Sequence, residues 1–546
     1  GKRNRIREGR APMSENKQRK DTFFGGAAIL AAGIIVVKVI SAVYKMPLVN
    51  ILGSSGYADF TAAFNIFNIL LTVSTAGIPV AMSKMISEAN ASRRHKQTHK
   101  IFRVSLLFFG AVGIFCSLVM FFGANFFAAV MNDTKAAECM RVLAPSVALV
   151  SGLSVFRGYA QGYSNMTPSS VSQIIEALFK LIVGLTLAWY FIRVLGKPDY
   201  IGAAGAIAGV TVSELAALLY MAWDYLRTRR HAPSPLPSER PDSAKHILKT
   251  CLLLAIPITI TAASTSIMTA VDNALVLGRL QNAGLLLSED AARSLMGNYT
   301  GVQTVYQIPA ALMVAITASV IPAVTICFTQ KDRTGAAKIV GSSLKTAALL
   351  AFPSGIGMLV LGKPIVQLLF PSLDADIAGT ILSILGIANI FVCLMLVATS
   401  VLQAYNILSL PIFTMLAGGV VMVLFDYFMV GTVQFNIYGS PVGTCLCFGL
   451  TCGLDLHLVR RVVPGCPSYA QLFGKTLAAS VIMGAAAWAV YGLTSHLIGV
   501  KLAVLLAILL AVVLYAILLI LLQVLTKDDL SLMPKGDKIA KLLHIN

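Results

Sequence analysis

Charge is what this chain holds least of. Charged residues make up 12% of its 546 positions, against about 25% in a soluble domain. Hydrophobic residues make up 57% and the mean hydropathy is +0.79. That balance excludes an ordinary soluble fold and indicates a polytopic membrane protein. Cysteine supplies no framework either. There are nine, an odd number, and Cys116, Cys251, Cys327, Cys393, Cys445, Cys447 and Cys452 lie in apolar runs, where thiols behave as small hydrophobes. Cys445, Cys447 and Cys452 are close in sequence, but no histidine or fourth cysteine nearby completes a tetrahedral metal set. Catalytic signatures are missing too. There is no Gly-rich phosphate loop and no HExxH, and the seven histidines lie in loops or near span ends. The longest outer loops, about 125–140, 279–294 and 363–376, are short for a membrane glycosyltransferase. An enzyme is therefore not expected, nor a bound cofactor or metal. With no ATPase motif, transport would run on a Na⁺ or H⁺ gradient, the membrane potential or the substrate's own gradient.

What is present is apolar sequence in runs long enough to cross a bilayer. Fourteen spans can be read, at about 23–49, 57–83, 101–124, 140–162, 169–194, 202–225, 247–278, 295–327, 339–362, 377–404, 410–432, 439–458, 472–494 and 500–525. The expected fold is thus an all-α polytopic membrane protein with 14 transmembrane helices. The net charge of +19 does not point to nucleic acid, because the basic residues cluster in loops beside the spans. With the N-terminus inside, inner segments hold 30 Lys and Arg and outer segments 8. Both termini are expected in the cytoplasm. Residues 1–12 read as a non-native lead before a start at Met13. A cleaved signal peptide is disfavoured, because the first span is longer than a signal core.

The chain repeats internally. Thr75-Ala76-Gly77-Ile78-Pro79 matches Thr317-Ala318-Ser319-Val320-Ile321-Pro322 at an offset of 242–243. Gln161-Gly162-Tyr163 matches Gln403-Ala404-Tyr405 at the same offset, with Pro168 and Pro411 following. Six spans per half is even, so the repeat is parallel, about an axis along the membrane normal. The expected organisation is a basic tail at 1–22, an N-lobe at 23–225 and a linker at 226–246. A C-lobe at 247–458, an added pair of spans at 472–525 and a tail at 526–546 complete it. Two lobes facing one another leave a central cavity, as alternating access requires.

Ionisable residues inside spans are costly and usually face a bundle interior or a water-filled cavity. The first span carries two, Lys38 and Lys45. Seven residues return a helical side chain to nearly the same face, about 10 Å along the axis. These two lysines are the expected substrate-binding residues of a cationic cavity for an anionic substrate, together with Arg157 in span 4. The bland alternative is snorkelling to an interface. Glu176 and Lys180 lie one turn apart on span 5 and are expected to pair. Asp272 in span 7 occupies the C-lobe counterpart of the helix bearing Lys45. It is a candidate for coupling to a proton or Na⁺, with Asp426 in span 11 as a second. Glu214 and Lys345 complete the list of buried charges.

The runs KVISAVYKMPLVNILG, NIFNILLTVSTAGIPVAMSKMISE and FRGYAQGYSNMTPSSVSQIIEALFKLIVG resemble the polysaccharide-transporter branch of the multidrug/oligosaccharidyl-lipid/polysaccharide exporter superfamily. The likeness is to the stage V sporulation protein B group, relatives of the MurJ lipid II flippases, and covers essentially the whole chain. It implies a monomeric flippase of a bacterial cytoplasmic membrane. Its partner would be an undecaprenyl-pyrophosphate-linked glycolipid, lipid II foremost, among membrane lipids. The family's first-span cations fall on Lys38 and Lys45, here with lysine rather than arginine at the second. Arginine forms a bidentate fork that lysine lacks. The family's second-span arginine has no counterpart in Asn65-Ile66-Phe67-Asn68-Ile69-Leu70-Leu71. Spans 13 and 14 in such relatives form a groove for the lipid tail, and the apolar run 502–522 fits that part. A multidrug or cation antiporter of the same superfamily would instead show an acidic cavity and twelve spans.

Overall fold

Without water to satisfy them, backbone amides in a bilayer must bond within the segment, which favours helices throughout. The computed structural model describes residues 13–524 apart from 76, 164, 231–239, 283–285 and 408, and it contains no strand among them. The side chains before Gly33 and at some later helix positions, Lys38 among them, also lie outside the described residues.

The N-terminal half holds α1 (Met13–Thr75), α2 (Ile78–Ala91), α3 (His95–Phe122), α4 (Ala124–Val130) and α5 (Ala136–Gly162). It continues through α6 (Thr167–Phe179), α7 (Leu185–Trp189) and α8 (Asp199–Arg230). The C-terminal half holds α9 (Ala244–Asn282), α10 (Glu289–Thr329), α11 (Arg333–Leu369), α12 (Ala375–Ala404), α13 (Ser409–Met429) and α14 (Gly439–Val462). The added pair is α15 (Tyr469–Ile498) and α16 (Val500–Leu521). Around α7, Lys180–Gly184 and Tyr190–Val194 form π-helical turns.

Eleven helical stretches among the described residues are long and apolar enough to cross a membrane, against the fourteen expected. The first reason is local. The expected loop after span 1 is absent, because α1 runs on for 63 residues across a single break at Gly53, with φ 70° and ψ −179°. That backbone region belongs to glycine. Pro47 lies six residues earlier, and at Gly53 the backbone leaves helical geometry for a single residue before a second helical limb begins. Val39–Ala91 then counts once where two spans were expected. The second reason is that α9 and α10, at expected spans 7 and 8, contain residues outside the description.

The two halves pack in the same order. In the first, α5 sits centrally against α3 and α8, and α6 covers α8. In the second, α12 sits centrally against α11 and α14, and α13 covers α14. The halves meet where α1 lies along α10 and α9. One apolar core joins them, with Leu48, Val49 and Leu52 of α1 in the same cluster as Leu280, Tyr299 and Phe370. Two further cores each belong mainly to one half. The linker's far end is fixed to α3, where Asp242 takes a 2.9 Å bond from Arg94 Nη2 and another from Gln97 Nε2. Helices α15 and α16 pack on each other and on α11. Leu502, Leu505, Leu509, Val512 and Leu521 of α16 remain exposed, as acyl-chain contact requires.

Candidate functional site

The break in α1 at Gly53 leaves both of its limbs beside one chamber. The first limb contributes Ser41, Tyr44 and Lys45. The second contributes Tyr57, Phe60, Thr61, Phe64, Asn65 and Asn68, whose spacing of three and four residues is one face of a helix. The rings of Tyr57 and Phe60 stack at 5.8 Å, and those of Phe60 and Phe64 at 4.7 Å. Lys180 enters from the first π-turn, and α10 closes the chamber with Thr300, Gln303, Thr304 and Gln307. The volume is about 260 Å³. Among the described residues two amines and no carboxylate line it, so an anion finds attraction from these walls without repulsion. Lys45 has no ion pair among the described residues.

The other expected site residues fall elsewhere. The Arg157 guanidinium is held by Glu176 Oε2 at 3.0 Å and donates from Nε to Ser172 Oγ at 2.9 Å. It is not part of the chamber lining. The expected Glu176–Lys180 pair spans 3.9 Å, a looser contact than the one from Arg157. Arg157, reaching across from α5, takes the carboxylate that helical spacing assigned to Lys180. Lys180 is left to face the chamber. Glu214 of α8 is buried behind this group, with Oε2 unpartnered in the protein. The Lys38 side chain lies outside the described residues.

Asp272 of α9 and Asp426 of α13 are buried beside one another. Neither lines the chamber, and neither pairs with a lysine or arginine among the described residues. Both Asp426 oxygens, Asp272 Oδ1 and Ser440 Oγ have no hydrogen-bond partner in the protein. The nearby Tyr299 hydroxyl and Thr444 Oγ1 stand 3.2 Å apart. This all-oxygen set suits a proton or a hard cation, which takes oxygen ligands.

Sequence reasoning missed a second polar cluster, which joins the start of the second limb of α1, the loop before α5 and the start of α10. Asp59 opens the second limb of α1 and is fully buried, as is Asp133 in the loop before α5. Arg293, near the start of α10, bonds Asp59 through Nε at 2.6 Å and also through Nη2. Its Nε lies 3.4 Å from Asp133 Oδ1, and its Nη1 bonds Asp290 at 2.7 Å. Around it, Lys135 reaches Asp290 at 2.6 Å and Thr134 donates to Glu289 Oε1. Ser54 and Ser294 hydroxyls meet at 3.0 Å, and any side chain at Gly297 would run into the Ser54 carbonyl. Burial and the neighbouring Asp59 push the Asp133 carboxyl up to about 8, against the pull of Arg293. The available signal was Asp59 itself, a carboxylate in an apolar run.

An apolar groove of about 530 Å³ lies between α11 and α15, walled by Ile356, Leu359, Val360, Val481, Gly484 and Trp488. The run 502–522 does not line it. Ala507 and Ala511 of α16 instead pack behind α15, because small residues let those helices approach closely.

The polysaccharide biosynthesis protein family matches residues 23–326. The chain belongs to that family. Within it, the membrane protein YabM of Bacillus subtilis is 27% identical over 436 residues, 80% of each chain. Stage V sporulation protein B of the same organism is 25% identical over 453 residues, covering 82% of this chain and 85% of that one. The lipid II flippase MurJ of that organism is 21% identical over 486 residues, 84% of this chain and 87% of its own. Among solved structures, a lipid II flippase MurJ in an inward closed conformation matches with a TM-score of 0.69 at 14% identity. That match covers 90% of this chain and 98% of that one. An inward-facing multidrug resistance MATE transporter matches at 0.64 and 15%, covering 80% and 98%. The fold is therefore the one shared by these MurJ and MATE structures, and the chain is a polytopic membrane protein of the polysaccharide biosynthesis protein family.

Proposed function

We propose that this protein flips an undecaprenyl-pyrophosphate-linked saccharide, lipid II foremost, from the inner to the outer leaflet of a bacterial cytoplasmic membrane. The observation that carries this reading is the chamber lining, two amines and no carboxylate. Lys45 binds the diphosphate, the saccharide occupies the chamber, and the prenyl chain lies in the apolar groove between α11 and α15. Both termini are cytoplasmic and the protein works as a monomer, without catalysing a covalent step. Rocking of the lobes alternates access, and breaking the Arg293 cluster opens the outer end. Asp272 and Asp426 couple the cycle to Na⁺ or H⁺. Charge carried across the field adds about 2.3 kcal/mol per charge per 100 mV.

The test is complementation of a strain depleted of its own lipid II flippase. The wild-type chain is expected to restore growth, and Lys45→Ala to abolish rescue at equal membrane abundance. Normal growth of the variant would refute the assignment. The fold it shares with the MATE transporter favours one other reading, a multidrug or cation antiporter. That reading predicts raised drug resistance on overexpression, and the lack of any chamber carboxylate opposes it.

A further inference from the structure

The chamber's two walls differ in chemistry. The N-lobe wall carries both amines and the aromatic rings, while the α10 wall carries only uncharged hydrogen-bonding groups, Thr300, Gln303, Thr304 and Gln307. These four recur at intervals of three and four residues, so they form one polar stripe along this part of α10. Polar groups at membrane depth are costly unless partnered. Thr304 Oγ1, facing the chamber, is buried at 5% exposure and has no partner in the protein. Asn65 Nδ2 and the Tyr44 hydroxyl, opposite, are buried and unpartnered as well. Donors and acceptors thus converge on one space from both lobes.

We propose that α10 is the sugar-reading wall of this chamber: Gln303 and Gln307, framed by Thr300 and Thr304, hydrogen-bond an uncharged saccharide whose diphosphate is held across the chamber by Lys45 and Lys180. The inference rests on the flippase reading and deepens it. A diphosphate diester carries two negative charges, and the lining offers two amines. Among the described residues no further cation lines the chamber for an acidic sugar. Glutamine side chains present a donor and an acceptor together, matching hydroxyl and acetamido groups. The phenyl and phenol faces of α1 supply the apolar surface against which a sugar ring stacks. A volume of about 260 Å³ lies just below the usual range of ligand pockets, about 300–1,000 Å³. It suits the sugar next to the diphosphate rather than a long glycan. Lys180 enters as a second phosphate ligand because it lines the chamber and its contact with Glu176, shared with Arg157, is the looser of the two at 3.9 Å.

The experiment measures binding of three defined lipids to the full-length protein in nanodiscs by native mass spectrometry. The lipids are undecaprenyl diphosphate, the same lipid bearing N-acetylglucosamine, and the same lipid bearing a uronic acid. Wild type is expected to favour the acetamido sugar over both others. Gln303→Met with Gln307→Met keeps side-chain length and removes the amides. It should weaken the acetamido-sugar lipid at least about tenfold, the loss of two hydrogen bonds, and leave the bare diphosphate unchanged. Lys180→Met should weaken all three alike. If the double variant fails to fold, each single glutamine variant is measured, with a smaller loss of the same pattern expected. Equal losses for sugar-bearing and bare lipid, or no loss, would overturn the sugar-wall assignment alone. Wild type that binds none of the three would overturn the flippase reading and this inference with it.

Discussion

The charges beside the chamber and those buried deeper in the C-lobe are treated differently. In the N-lobe the interior cations are Lys45, Arg157 and Lys180, and the carboxylate among them, Glu176, is held by Arg157. What remains unmatched is an amine, and it faces the chamber. In the C-lobe, away from the chamber, Asp272, Asp426 and Asp455 are buried with no cation paired to them among the described residues. Thr399 and Thr414 satisfy Asp455 with hydrogen bonds of 2.8 and 2.7 Å, whereas Asp426 has none. The same helix packing has thus been given two tasks. One half attracts an anion into shared space; the other keeps an oxygen-rich pocket away from it. Segregation matters because a carboxylate in the chamber would cancel the attraction that the lysines provide.

The largest effect comes from erasing that segregation. Lys45→Glu puts an acid on the same chamber wall as Lys180 and is expected to abolish rescue of the depleted strain. Rescue equal to wild type would show that the chamber's sign is irrelevant. Next comes the one place where the lobes trade charges directly. Arg293→Met strands Asp59 and Asp133 in a buried site, at a cost of about 3–5 kcal/mol. Thermal unfolding of the purified protein should show a large drop. Adding Asp59→Leu should recover part of it, since removing both partners leaves no uncompensated charge. A double variant no better than the single would show that the ion pair is not what Arg293 contributes.

A third prediction concerns the C-lobe oxygens. If Asp272 and Asp426 hold Na⁺, the ion stabilises the folded protein by about 2.7 kcal/mol at a hundred times its Kd. The melting temperature should then rise in Na⁺ relative to an equal concentration of K⁺. Asp426→Asn should remove the difference while leaving binding of undecaprenyl diphosphate intact, because Asp426 is not in the chamber. A sodium response that survives Asp426→Asn would separate the pocket from ion binding.

How much of this contrast was legible depends on distance along the chain. Lys45 could be read because an amine in an apolar run is rare, and the parallel repeat because its motifs recur at one offset. The Glu176–Lys180 spacing was also visible, and the pair is present at 3.9 Å, but the spacing told only part of the story. Helical periodicity sees neighbours on one helix and cannot see Arg157 arriving from another. Asp59 and Arg293 stand 234 residues apart, and Arg293 sits just before a span, where it reads as a loop cation. The α10 stripe escaped for another reason: threonine and glutamine carry no charge, so rarity alone did not flag them. Between the spans read at 23–49 and 57–83 a loop was expected, but a single non-helical glycine, Gly53, separates two helical limbs.

The smallest effect is also the most specific, because it tests the cluster between the lobes without removing a charged residue by force. Asp133 faces Asp59 and Arg293, with Lys135 and Asp290 at the edge of the cluster. Its carboxyl is raised to about 8 by burial and by Asp59, while an unfolded aspartate titrates near 4. Between these values the folded protein binds a proton that the unfolded chain does not. The resulting stabilisation is fully present below about pH 4 and is lost as pH rises through about 8, with a slope of at most about 1.4 kcal/mol per pH unit. Raising the pH from 6 to 8 should therefore lower the melting temperature of the wild-type protein. Asp133→Asn, which keeps the shape and cannot ionise, should flatten that dependence. An unchanged slope would mean that Asp133 keeps an ordinary carboxylate affinity, and that Arg293 neutralises both acids at once.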